Sequence, residues 1–192
     1  MADRPPLDPE TKARVRDEAL EFIRGRRIGI MVTYPPGEPF PRLRGMGFVH
    51  DGWVIYMSTK REWQKAREVA ANPHVSVLFY DTTKRSDHFI QVDCRAIRVS
   101  GDEFDRWQEQ RYQKEGEALR RATQGMTRDD WVGWRLEPLR VRINGHIAAG
   151  PWSEAPVVFS RRDLNLPPLP HDETPTLPSR SSPPGRAGGS AE

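Results

Sequence analysis

Hydrophobic positions along the chain change period several times, and each change marks an element. From Pro9 to about Ile23, the residues Val15, Ala19, Phe22 and Ile23 recur at helical spacing. Asp8 stands at the N-cap position before Pro9, and Gly25 closes the run. From Arg26 to Thr33 the period drops to two, with Ile28, Ile30 and Val32 alternating with Gly29, Met31 and Thr33. Tyr34 to Pro39 is a turn. Arg42 to Val49 alternates again: Arg42, Arg44, Met46 and Phe48 share one face, and Leu43, Gly45, Gly47 and Val49 the other. His50-Asp51-Gly52 predicts a hairpin turn, and Trp53 to Met57 the strand that returns. Thr59-Lys60-Arg61-Glu62 matches a capping box, so Ser58 or Thr59 is expected to cap a helix carrying Trp63, Ala66 and Ala70. Asn72-Pro73 stops it. Val75 to Tyr80 and His88 to Ser100 read as strands, Gly101 to about Ala122 as a helix, Gln124 to Gly133 as irregular, and Leu139 to Ile147 as the last strand. About six strands with hairpin links and few helices predict a mostly β protein with flanking helices, a small antiparallel barrel.

The barrel is expected over residues 8–164. Residues 1–7 read as disordered. From Asn165 onward the chain holds seven prolines and three glycines with few large apolar residues, too little to offset its ordering entropy.

Composition narrows the function classes. Of 192 residues, 36% are hydrophobic and 30% charged, which suits one core. The net charge of +3 is spread without a dense basic stripe, so nucleic acid is not expected as a partner. No apolar run is long enough to span a membrane, and MADRPPLDPE has no apolar signal region, so the expected compartment is the cytoplasm. Cys94 is the one cysteine, and the five histidines show no paired metal spacing, so no metal site is expected. Gly45-Met46-Gly47 starts like a dinucleotide fingerprint, but His50 stands where the third glycine belongs and a strand follows.

Chemistry concentrates between Arg42 and Lys65. A helix N-terminus favours an anion, and Ser58, Thr59 and Lys65 surround the expected one. Arg42 and Arg44, side by side on one strand face about 7 Å apart, repel unless an anion or an acidic partner compensates them. If the hairpin lays its second strand against the arginine strand, all these groups converge on a phosphate. The plainer reading is that both arginines snorkel to water. Trp107, Trp131, Trp134 and Trp152 are candidates for a dimer contact. No acid, base or nucleophile stands out as catalytic, which points to chemistry carried by a bound cofactor.

This central stretch resembles the flavin-binding split-barrel superfamily, the pyridoxamine 5'-phosphate oxidase-like proteins. The resemblance rests on the arginine strand RLRGMGFV, the return to VIYMST, the helix with Lys65, the strand ANPHVSVLFY and the following FIQVDCRAIRVSGDE, and it covers roughly Ala19 to Ile147. It implies a six-stranded split barrel, a homodimer with FMN at the subunit interface, and oxidoreductase activity on a small molecule. It implies phosphate contacts from Arg42 or Arg44, Ser58, Thr59, Gln64 and Lys65. The backbone of Gly45, Met46 and Gly47 would lie by the flavin ring edge, with Gln91 nearby. Some relatives bind deazaflavin F420 or haem in the same place, so an F420-dependent reductase and a non-catalytic flavin- or haem-binding protein are the alternatives. The chain departs from the true oxidase at Gly47 and Val49, where a basic residue is expected. It departs again at GHIAAGPWSEAP, where the substrate motif is missing, and at Gln64, which replaces a basic residue. Vitamin B6 phosphate is therefore not the expected substrate.

Overall fold

The computed structural model describes residues 7–26, 28–80, 89–144 and 157–169. Helix α1 (Pro9–Arg24) starts where the capping signal puts it: the Asp8 carboxylate accepts from the Thr11 backbone N–H at 2.9 Å. Val15, Ala19 and Ile23 are its buried face. The strands are β1 (Ile28–Thr33), β2 (Arg42–Gly47), β3 (Val49–Asp51), β4 (Val54–Lys60), β5 (His74–Tyr80), β6 (Phe89–Val99), β7 (Trp131–Asn144) and β8 (Val157–Ser160). Helix α2 spans Gln64–Ala71 and α3 spans Gly101–Ala122.

All strands join one antiparallel sheet in the order β2-β1-β5-β6-β7-β4-β3, with β8 on β7. Eight strands replace the expected six because the arginine strand divides at Phe48 and β8 is added. β2 and β3 end opposite edges of this path, yet one residue separates them in sequence. The sheet must therefore curl until its edges nearly meet, which makes a half-barrel. Its interior holds Met31, Met57, Phe79, Leu136, Val141 and Ile143, all at most 1% exposed, with α1 packed against them.

Several expectations are corrected. Ser58 and Thr59 do not cap a helix: they lie in β4, paired with Gly133 and Val132 of β7. The long ladder with β7 outcompetes the capping box. Helix α2 starts only at Gln64, with Trp63 as its N-cap and no side-chain cap. Nor does the returning strand lie against the arginine strand. β2 pairs with β1, and β4 pairs with β3 and β7. Trp107 and Trp134 are buried inside the chain at 2% and 4% exposure, so they are not dimer contacts; Trp152 lies outside the described residues. One exposed apolar patch lies instead on the outer face of β1, β2 and β5. Ile28, Leu43 and Tyr80 are exposed there, beside half-buried Ile30, Val32 and Leu78. Beyond Asn165, Leu166 packs against the core and Leu169 is buried; residues 170–192 of the expected tail, and residues 1–6, lie outside the described residues.

Candidate functional site

The arginine pair has an acidic partner. Glu68, on the inner face of α2 and 5% exposed, takes Arg42 Nη1 at 2.7 Å and Arg44 Nη2 at 2.9 Å on one carboxylate oxygen. Its other oxygen accepts from the Thr33 hydroxyl at 2.6 Å and sits 2.8 Å from Arg44 Nη1. Thr33 in turn accepts from Arg44 at 2.8 Å. Arg42 is fully committed, since its Nη2 also holds Glu38. Burial alone would raise the Glu68 pKa, but the bonds from Arg44 and Thr33 and the arginine charges outweigh it and hold the group below the usual glutamate value. This network rivets α2 to the β1–β2 edge.

A second group of cations forms on the other side of Arg44. Lys65, in the first turn of α2, has Met46 Sδ at 3.2 Å and the Trp63 ring at 4.6 Å from its ammonium. It has no carboxylate partner among the described residues. Burial, then the charges of Arg44 and Arg111, push its pKa below the ordinary lysine value. Arg111 comes from α3. Its Nη1 donates to the Ser58 hydroxyl at 2.7 Å, and Ser58 donates to Gln108 Oε1 at 3.0 Å. Glu115 holds the Arg111 Nε at 2.8 Å. Gln108 Nε2 here is buried without a partner among the described residues; Thr59 Oγ1 is too, but as the residue after Ser58 in β4 it faces the other side of the sheet. Unmet donors and excess positive charge both favour an incoming anion.

One glycine makes this possible. A Cβ on Gly133 would meet Phe104 ring carbons at 2.5 and 2.7 Å and a Trp107 ring carbon at 2.8 Å. Gly133 also pairs with Ser58 in the ladder. Only a bare backbone lets α3 settle on β7, and that contact carries Gln108 and Arg111, about one turn on, over Ser58.

Of the residues expected in the site, Arg44, Met46, Ser58 and Lys65 are thus gathered with Arg111. Gln64 is exposed next to Lys65, and Gly45 has open space where a side chain would stand. Gln91 is spent on Asp93 at 2.7 Å, and no described contact joins it to the cluster. Arg111, Gln108 and Glu68 were absent from the sequence reading. For the α3 pair the signal was available: Gln108, Arg111 and Glu115 recur at helical spacing on one face.

Comparison with known proteins agrees with this architecture. The chain is 32% identical over 83 residues to general stress protein 26 of Bacillus subtilis (strain 168). That match covers 43% of this chain and 58% of the relative, so it spans less than two thirds of the relative's length. A solved structure described as a putative pyridoxamine 5'-phosphate oxidase from Listeria innocua superposes with a TM-score of 0.55 at 25% identity, covering 67% of this chain and 97% of that one. HutZ, described as a haem storage protein from Vibrio cholerae, shares the fold at a TM-score of 0.57 and 21% identity, over 69% of this chain and 96% of its own. The family model for pyridoxamine 5'-phosphate oxidase matches residues 15–147, and with the curled sheet and its flanking helices this identifies the chain as a member of that family.

Proposed function

We propose that this chain binds FMN by its phosphate between Ser58, Lys65 and Arg111, and acts with it as an oxidoreductase on a small molecule. The observation that carries this reading is Lys65: a half-buried ammonium, held between two guanidinium groups, with no carboxylate of its own. Lys65 and the Ser58 hydroxyl would take phosphate oxygens. Arg111 would turn from Ser58 to the same anion, and Arg44 adds charge while it stays tied to Glu68. The unpartnered Gln108 Nε2 supplies a further donor. Gln64 and the backbone of Gly45, Met46 and Gly47 line the approach, where an absent or small side chain admits a flat ring. Arg42 serves by fixing Glu68. A bound flavin would supply hydride and electron transfer; the protein's part is to hold, orient and shield it.

This reading includes a homodimer in the cytoplasm. The apolar outer face of β1, β2 and β5 is the surface a second copy would cover, since Ile28 and Leu43 are 70% and 63% exposed on it. Replacing Leu43 with Asp should convert the dimer to a monomer by light scattering, with the far-ultraviolet spectrum unchanged.

Two measurements test the cofactor. The purified protein should show a two-band flavin spectrum, with fluorescence on release. A dominant Soret band would assign haem, and a single violet band deazaflavin. Apo-protein should bind FMN at least about tenfold tighter than riboflavin, from one or more charge-assisted hydrogen bonds to phosphate. Equal affinity for the two would remove the phosphate site.

A further inference from the structure

A groove lies beside α2, sharing no residue with the cation cluster. It offers about 370 Å³ between α2, β6 and β7 and is open to solvent. Its floor is apolar and made of small groups: Ala66, Val69 and Ala96, with Val132 and the Trp134 ring behind them. Three arginines stand on its rim, Arg61, Arg67 and Arg98, and no carboxylate lines it. Arg61 spends Nε and Nη2 on the carbonyls of Asp129 and Trp131 at 2.8 and 3.4 Å. Arg67 gives one Nη2 bond, to the Glu62 carbonyl at 3.0 Å. Carbonyl oxygens orient a guanidinium without neutralising it. Arg98 has no hydrogen-bond or ion-pair partner among the described residues.

We infer that this groove is a binding site for a small aromatic carboxylate, distinct from the proposed flavin site. The chemistry selects that class. Three guanidinium groups around one hollow repel each other and favour a compact anion, and a planar fork matches a carboxylate in bidentate fashion. The same planar groups stack on aromatic faces, while the Trp134 indole backs the apolar floor beneath. Alanines at positions 66, 70 and 96 leave the depth that a flat ring needs. The volume falls in the range of small-molecule sites, near its lower end, which suits one or two fused rings.

Calorimetric titration of the full chain with 2-naphthoate, beside the neutral 2-naphthalenemethanol, tests this. Naphthoate should bind at one site per chain and the alcohol at least about tenfold more weakly. Arg98→Glu and Arg67→Glu, both at exposed positions that leave the core untouched, should each weaken naphthoate about tenfold or more. Lys65→Ala should leave naphthoate binding unchanged. Loss of naphthoate binding in the Lys65 variant would place the ligand in the cation cluster and overturn the assignment. Equal binding of acid and alcohol would overturn it too, as would indifference to both charge reversals. None of these outcomes depends on whether FMN binds.

Discussion

Arg42 and Lys65 are cations on neighbouring parts of one face of the molecule, and they have opposite fates. Arg42 is closed off: Glu68 takes one of its nitrogens and Glu38 another. Lys65 is left open, facing a sulfur and an indole ring with two further guanidinium charges beside it. Arg44 stands at the border and belongs to both. The difference separates two uses of positive charge. Where a carboxylate is supplied, the charge locks α2 to the β1–β2 edge. Where none is supplied, the charge is held in reserve for something that arrives from outside.

The sharpest way to break this contrast is to remove the carboxylate. Glu68→Ala should cost about 4 kcal/mol of unfolding free energy, because it strips Arg44 and the Thr33 hydroxyl of their carboxylate partner and leaves Arg42 with Glu38 alone. Chemical denaturation measures it; a loss below about 1 kcal/mol would mean that the network is ornamental at the surface. The same group gives a pH signature. Its folded pKa lies below the ordinary value, so its contribution is complete above the unfolded pKa and fades as pH falls through the folded one. Wild-type stability should therefore drop on acidification below the usual glutamate range, and Glu68→Gln should flatten that drop.

Next in size is the glycine that seats α3. Gly133→Ala sets a methyl group within 2.5–2.8 Å of two aromatic rings that are themselves buried. Overpacking of this kind costs about 3 kcal/mol at the upper end of the usual range. If the cluster depends on α3 as described, FMN affinity should fall along with stability, since Arg111 and Gln108 would be lifted from Ser58. Stability lost with affinity intact would detach α3 from the site.

The smallest effect falls on the open cation itself. Lys65→Ala should leave folding unaffected within about 0.5 kcal/mol. It should weaken FMN binding one to two orders of magnitude, about 2 kcal/mol, while riboflavin binding holds. Because its pKa is already lowered, wild-type affinity for FMN should begin to decline on the alkaline side earlier than an ordinary lysine would dictate.

How much of this was legible in the sequence varies by element. The start of helix α1 could be read to the residue and its end to within one, because Asp8, Pro9 and Gly25 are local signals and local geometry decides. The strands were legible by their period, and the need of Arg42 and Arg44 for compensation by their charge. What compensates them was not, since Glu68 lies 24 residues from Arg44 and only the fold brings the two together. The capping box at Thr59 misled because the same residues also fit a strand, and the six-pair ladder of β4 on β7, beside the eleven pairs of β6 on β7, is not visible locally. The pairing of β2 with β1 rather than with β4 was hidden for a similar reason. Nothing about Phe48 announces that the chain changes edges there.

That change of edges bears on how the molecule assembles. Residues 47 and 49 belong to opposite borders of the sheet, and Phe48 between them is buried. Once either border has formed, the segment that starts the other is already delivered, with almost no chain left to search. The entropy of closing that loop has shrunk to that of a single residue. A ring of strands that would otherwise zip slowly from distant ends is thus clasped early, and Phe48, driven into the interior, is the pin of the clasp.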